Sequence, residues 1–381
     1  AQHNDMPFED LKSLLDLVAV STACDIVPVI GENRVLCQLG LERLNHKPRP
    51  GIRAMLEMAN VKRALDVTDL VFILGPRINA AGRIEHGQQA VELLLAADMA
   101  QAEELGKRVD RSNTERQGLD KEITAQALEM IEQDPVSREA FSTVLFDPSW
   151  HKGVIGIVAS RLIEQHYRPT IVLTESQGKV AGSARSVKGF DVYKAIEACA
   201  HLVDQFGGHM YAAGLTMQKE NVQAFKEAFE AEVARTILPE QCIPEEDVDV
   251  EIDLGLITPS FLNAVAHMAP FGPGNMKPVF LTRGLQADAS TSRVVGDGHL
   301  KLAVRQDTSQ PYIDAIAFRQ AQHMELLRSG EAFSMLYTVE WNEWNGRRSI
   351  QLNVKDIKPG TKGLLVEERA RQEEAELEDH S

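Results

Sequence analysis

Cysteine is scarce in this chain: Cys24, Cys37, Cys199 and Cys242 are widely separated and form no Cys-x-x-Cys pair. That spacing argues against a structural zinc site or a disulfide framework and suits a reducing cytoplasm. No apolar run reaches the roughly 20 residues that span a bilayer, and no secretory signal is present, so no membrane partner is expected. Gly-x-Ser-x-Gly, Walker and Gly-x-Gly-x-x-Gly patterns are missing, which removes nucleophile-elbow hydrolases, P-loop enzymes and dinucleotide-binding enzymes. Positive charge is in deficit too. Forty Lys and Arg against 56 Asp and Glu leave a formal net charge of −16, the opposite of a general phosphate-binding surface. The deficit is uneven, because seven acids fall between Glu367 and Ser381, a like-charged tail expected to be solvated and disordered. Local clusters therefore decide. The first residues lack an initiator Met and read as if they begin inside a domain, so an N-terminally truncated fragment is expected.

The 381 residues, 44% hydrophobic and 25% charged, suit two or three soluble α/β and β domains. Residues 10–20 are apolar at helical spacing, 24–30 form a short β-like run, and 32–44 and 51–60 are helical. Residues 68–74 fit a helix or a short strand, and 74–83 read as a loop of small residues carrying Arg77 and Arg83. From Asp98, an N-cap, residues 99–133 contain no proline and abundant Ala, Glu, Leu and Gln, which predicts a helix of roughly 50 Å connecting two domains. Residues 141–235 mix short strands with helices, Asp191 and Asn221 capping two of the helices, and predict a layered α/β domain. Beyond Pro244 six strand-like runs, with Asn345-Gly346 as a hairpin signal and one helix at 259–267, predict a small barrel of the OB type.

Five segments could carry chemistry. Gly207 and Gly208 have no Cβ, so backbone or phosphate can approach closely, and His209 can donate a hydrogen bond or change charge near neutral pH; a plain turn is the alternative. Asp25, if it ends a strand, can hold a hard divalent cation; a helix-cap or turn aspartate is the other reading. Arg77, Asn79 and Arg83 lie in a small-residue segment suited to bidentate phosphate contacts or to simple exposure. His151 and Lys152 precede a helix N-terminus that favours anions. Ser183 and Arg185 project from one side of a strand, a hydroxyl beside a guanidinium.

Taken in order, Ala23-Cys24-Asp25-Ile26-Val27-Pro28, residues 74–83, 151–160, 182–186, 207–214 and Phe271-Gly272-Pro273-Gly274-Asn275 resemble the RecJ family of bacterial single-stranded-DNA-specific exonucleases, within the DHH phosphoesterase superfamily. The resemblance runs across the whole chain. It implies the C-terminal part of a DHH domain at 1–95, a connecting helix at 96–136, a DHHA1 domain at 137–240, an OB-fold at 245–358 and an acidic tail at 359–381. It implies Mn²⁺- or Mg²⁺-dependent hydrolysis of DNA from a 5′ end in repair and recombination, in the company of a helicase or a single-strand-binding protein. By the same match Asp25 is a metal ligand, Ser183 and Arg185 grip the 5′ phosphate, and Gly207, Gly208, His209, Arg77 and Arg83 line the strand's path. Trp341 and Trp344 are stacking platforms or hairpin core.

One departure weighs against activity in this polypeptide. The superfamily's Asp-His-His signature is absent from the sequence, and a single carboxylate cannot hold two cations in catalytic geometry. Two other readings stay open: a phosphodiesterase of short oligonucleotides or cyclic dinucleotides, and a non-catalytic nucleic-acid-binding replication scaffold.

Overall fold

A computed structural model of the chain describes residues 8–84, 86–344 and 346–360. They divide into two compact units, one of residues up to 25 and 39–245, the other of 26–38 and 246 onward. The acidic tail beyond residue 360, Asn345, and the side chain of Trp344 lie outside the described residues.

The first unit opens with helices, as expected over 10–20, but the short β-like run expected at 24–30 is not a strand. Helix α1 (Leu15–Cys24) replaces the start of the β-like run at 24–30, and Asp25 is its C-cap. The reason lies in small residues: a Cβ at Gly40 would stand 2.3 Å from the Leu15 carbonyl and 2.5 Å from the Ala19 Cβ, so two helices touch backbone to backbone there. The expected loop at 74–83 is likewise helical, a π turn at Leu70–Leu74 running into α2 (Gly75–Ile84). Pro76 is its second residue, directly after the π turn, where the Gly75 N–H still donates to the Leu70 carbonyl. Ala80 and Ala81 are buried, and a Cβ on Gly75 would crowd the Cys24 Sγ at 2.9 Å. Small residues here serve helix contact, a use that composition alone does not separate from a loop.

Helix α3 (Met99–Gln133) has 35 residues and starts at Asp98, whose carboxylate accepts from the Gln101 N–H at 2.9 Å. Its first half, through Ala102 and Val109, completes the core of Leu70, Leu74, Ile52 and Met55; its second half, through Ile123, Ala127 and Ile131, joins Trp150, Val158 and Leu162. One helix thus serves two cores, which explains a sequence too polar for either alone.

A five-stranded sheet follows: β1 (Thr143–Phe146), β2 (Thr170–Ser176), β3 (Lys179–Arg185), β4 (Gln205–His209) and β5 (Ala212–Met217), in spatial order β1-β2-β3-β5-β4. Only β1 and β2 are parallel. The glycine-histidine segment is therefore edge strand β4 and its hairpin turn, not a loop. On one face Ile171, Leu173 and Ala184 pack with Phe225 and Phe229 of helix α5 (Val222–Thr236); on the other, Val172 packs with α4 (Ile155–Gln165). Asn221 does not cap α5 with its side chain, which donates instead to the Leu202 carbonyl at 3.1 Å.

The second unit is a barrel. Strands β7 (Phe280–Ala287), β9 (His299–Arg305), β10 (Ile313–Ala317), β11 (Phe333–Trp344) and β12 (Arg347–Pro359) pair as β7-β11-β12-β10-β9, and β7 pairs again with β9 to close the ring. Strands β6 (Val250–Glu251) and β8 (Arg293–Val295) add to it; β8 was not expected, being only three residues long. Phe333, Tyr337, Leu285, Val304 and Leu352 fill the core, where the Tyr337 and Thr282 hydroxyls share a 2.6 Å hydrogen bond. Gly346 takes φ +73° in the β11–β12 turn, the conformation an Asn-Gly hairpin requires. Within this unit the Phe271–Asn275 segment is structural: the Asn275 amide donates to the Met268 and Pro270 carbonyls, and the Pro273 carbonyl accepts from the Val29 N–H.

Candidate functional site

Helix α4 covers the sheet over β1 to β3 and leaves β5 and β4 open, and the step between them is a cleft of about 1130 Å³. Pairing across the sheet sets its floor. Ser183 faces Gly214, and Gly214 faces Gly207, so one row is a hydroxyl followed by bare backbone. The next row is Arg185, Ala212 and His209; the row on the other side is Ala181, Thr216 and Gln205.

Arg83, His151, Lys152, Ser183, Arg185 and Gly207 all line this cleft, together with Gly82, Gly153 and Gly156. Arg185 is half-buried and donates through Nη1 to the Ser183 Oγ at 3.1 Å and to the Ala184 carbonyl at 2.7 Å. Burial, and then the charge of Arg83, hold its guanidinium below the usual arginine range. An anion held between the two cations would favour the charged guanidinium and so oppose both effects. The N-terminus of α4 completes the wall; no side chain caps it, and although the Ile157 N–H donates to the Val154 carbonyl at 2.8 Å, the helix end still favours an anion. The His151 Nδ1 accepts from the Gly153 N–H at 3.1 Å, and Arg83 donates to the Gly153 carbonyl at 3.0 Å. Hydroxyl, two guanidiniums, ammonium, imidazole and helix N-terminus thus line one cleft, a set of groups with the chemistry to receive an oxyanion.

The remaining expected site residues fall elsewhere. Arg77 is engaged by Asp110 at 3.0 Å and by the Ile73 carbonyl at 2.9 Å, which ties α2 to α3. Asn79 and Asp25 are exposed and do not line the cleft. His209 shares the Arg185 row but sits two strand spacings away, about 10 Å, and its Nδ1 accepts from the Tyr211 N–H at 3.2 Å. The paired glycines divide their work. A Cβ on Gly208 (φ +150°) would lie 2.3 Å from the Ala212 carbonyl, whereas one on Gly207 would meet nothing within 4 Å.

Gly156 stands in the sequence only as the end of a motif, and its importance is visible in three dimensions. A Cβ there would stand 2.9 Å from both the Arg185 Nη2 and the Ser183 Oγ. The signal was a glycine in the first turn of an apolar helix, a position where alanine is the better helix former.

Asp25 does not end a strand and gathers no companions: among the described residues no group of three His, Cys, Asp or Glu could hold a metal ion. These residues alone do not make a site for two divalent cations.

Residues 139–235 match the DHHA1 domain and residues 248–356 match the RecJ OB domain. The single-stranded-DNA-specific exonuclease RecJ of Bacillus subtilis is 35% identical over 90% of this chain and 44% of the relative. RecJ of Escherichia coli is 33% identical over 92% of this chain and 62% of its own length. The chain is homologous to these RecJ proteins over about nine tenths of its own length. The crystal structure of Thermus thermophilus RecJ with Mn²⁺ superposes with a TM-score of 0.78 at 31% identity, over 93% of this chain and 50% of that one, and its Mg²⁺ complex with 0.77. The chain thus spans about half the length of the curated relatives it matches. Its fold is the RecJ α/β arrangement ending in an OB barrel, and among the described residues no helix is long and apolar enough to cross a membrane.

Proposed function

We propose that this chain supplies the DNA-gripping part of a single-stranded-DNA-specific exonuclease that works from a 5′ end, with Mn²⁺ or Mg²⁺ activating water. The observation that carries the reading is the cleft in which Ser183, Arg185, Arg83, His151 and Lys152 converge on an uncapped helix N-terminus. In it Ser183 and Arg185 hold the terminal phosphate. Arg83, His151 and Lys152 meet the following backbone, and Gly207 leaves room for the sugar. Arg77 braces α2, and His209 and Asn79 stand at the margins of the strand's path. The domain plan is part of the proposal: a DHH remainder at 1–95, the connecting helix at 96–136, DHHA1 at 137–240, the OB barrel at 245–358 and the tail at 359–381. So are a cytoplasmic setting in repair and recombination, and a helicase or single-strand-binding protein as partner.

Hydrolysis needs metal ligands beyond Asp25, so this polypeptide by itself binds and does not cut. The test joins both halves. Incubated with 5′-phosphorylated single-stranded DNA and Mn²⁺, the purified chain is expected to leave the DNA intact. Arg185→Ala is expected to weaken binding and to reduce the slope of log K against log salt by about 0.7. Metal-dependent degradation would overturn the first statement, and an unchanged slope would remove Arg185 from the grip.

A further inference from the structure

Three polar side chains of helix α3 lie outside the cleft and hold the segments that carry its cations. Asp110 accepts from the Arg77 Nε at 3.0 Å, and Arg77 stands on α2 six residues before Arg83. Asp120 accepts from the Arg161 Nη2 of α4 at 3.3 Å. Gln126 accepts from the Trp150 indole N–H at 2.8 Å, and Trp150 directly precedes His151 and Lys152. None of Asp110, Asp120 and Gln126 lines the cleft. At about 1.5 Å per residue they are spaced along one helix axis by roughly 15 and 9 Å. A helix fixed in two cores does not stretch, so these spacings pass to the segments tied to it.

The middle tie carries the most charge. The Asp120 side chain is 5% exposed and serves two guanidiniums, Arg161 at 3.3 Å and the nearly buried Arg116 at 3.9 Å. Arg116 donates to the Asn113 Oδ1 at 3.1 Å, while its Nε is buried without a hydrogen bond. Burial holds the Arg116 guanidinium below the usual arginine range; Asp120 opposes this, and the charges of Arg83 and Arg161 add to it. The charge of Arg83 acts on Arg185 as well. Asp120 is thus the carboxylate that lets like charges from α2, α3 and α4 crowd one corner. Without it Arg83, Arg116 and Arg161 would push apart, and α2 and α4 with them.

Register makes the same point. A step of six separates Arg77 from Arg83 and Asp110 from Arg116, so α2 runs beside α3 and a tie at Arg77 sets the place of Arg83. Arg83 in turn reaches the Gly153 carbonyl at 3.0 Å, which requires α2 and the start of α4 at this separation. A partly exposed pair such as Arg77 and Asp110 adds little to stability. Apolar burial is non-directional and brings the helices together without choosing their exact register, which leaves that choice to the polar ties.

We propose that Asp110, Asp120 and Gln126 are positioning residues for the phosphate grip, α3 being the ruler that sets Arg83, the α4 N-terminus and His151 at the spacing a DNA backbone requires. The inference rests on the proposed grip for its ligand and adds what holds the grip in shape.

The test measures binding of the whole chain to 5′-phosphorylated oligodeoxythymidylate by fluorescence anisotropy over a range of NaCl, with a thermal melt of each variant beside it. Asp110→Asn and Asp120→Asn each remove a negative charge, which by itself tightens binding to a polyanion. Both are expected instead to bind about tenfold more weakly, with the slope of log K against log salt reduced by about 0.7. Gln126→Leu changes no charge and is expected to do the same. Arg77→Asp/Asp110→Arg restores the pair in reverse and is expected to return affinity and slope to those of the parent. A purely structural role would lower the melt and leave the slope of the folded protein unchanged. Variants folded at the assay temperature that keep the parent's slope, or bind more tightly, would overturn the ruler; if Arg185→Ala still weakens binding, the cleft reading survives that result. A parent that binds no single-stranded DNA sinks both. Should Asp120→Asn fail to fold, the Arg77 and Asp110 pair decides alone: a reversed pair that binds no better than Asp110→Arg by itself refutes the proposal.

Discussion

Replacing Gly156 by alanine separates the grip on phosphate from the stability of the fold. The new Cβ would stand 2.9 Å from the Arg185 Nη2 and the Ser183 Oγ, about half an ångström inside ordinary contact. Both atoms are side-chain ends, so they move and the backbone does not. Helix propensity favours alanine by about 1 kcal/mol, and we expect the melting temperature to hold or rise slightly. The displaced guanidinium also gives up its 3.1 Å bond to Ser183 and no longer points where a phosphate would sit. Losing one hydrogen bond to a charged group costs about 1.5–3 kcal/mol, or about tenfold to a hundredfold in Kd. Anisotropy with 5′-phosphorylated and 5′-hydroxyl oligonucleotides, beside a thermal melt, reads both effects, and the loss should be larger for the phosphorylated strand. A variant of native stability that binds the phosphorylated strand as tightly as the parent would refute the reasoning.

The glycine pair on β4 makes a second contrast. Gly208→Ala places a Cβ 2.3 Å from the Ala212 carbonyl at φ +150° and should cost on the order of 1–3 kcal/mol of stability; Gly207→Ala, with open space around it, should leave the melt unchanged, and chemical denaturation of the two variants checks the difference. Acid provides another prediction. Burial holds the His166 and His323 imidazoles below the usual histidine range, Arg168 adding to the first. The unfolded chain therefore takes up these protons first. The stability present above about pH 6.5 falls as pH drops through that value toward the folded pKa values. A His166→Gln/His323→Gln variant should flatten that part of a stability-against-pH curve, and an unchanged curve would mean the two rings are not the groups involved.

Much of this architecture was legible in the residues. The Asp98 cap and the long proline-free run announced α3 to within a residue, because capping and helix propensity are local. Alternating apolar residues after Pro244 and the Asn-Gly turn announced the barrel strands, and the motif order pointed to the RecJ family. Errors gathered where small residues carried the meaning. Gly75, Ala80 and Ala81 read as a loop because nothing local tells a glycine that must bend from a glycine that lets helices touch. Cys24 to Ile30 read as a strand because its apolar side chains fit either period. The sequence by itself determined the inventory: a cationic, glycine-lined set of candidate anion-binding residues in an otherwise acidic chain. Which of them act together was left to the tertiary structure. Arg83, His151 and Arg185 lie in three separate segments and meet only because α2, α4 and β3 converge, while Arg77, six residues before Arg83, is captured by Asp110. Charge and hydrogen-bond geometry act over a few ångströms, and those distances exist only after the chain has packed.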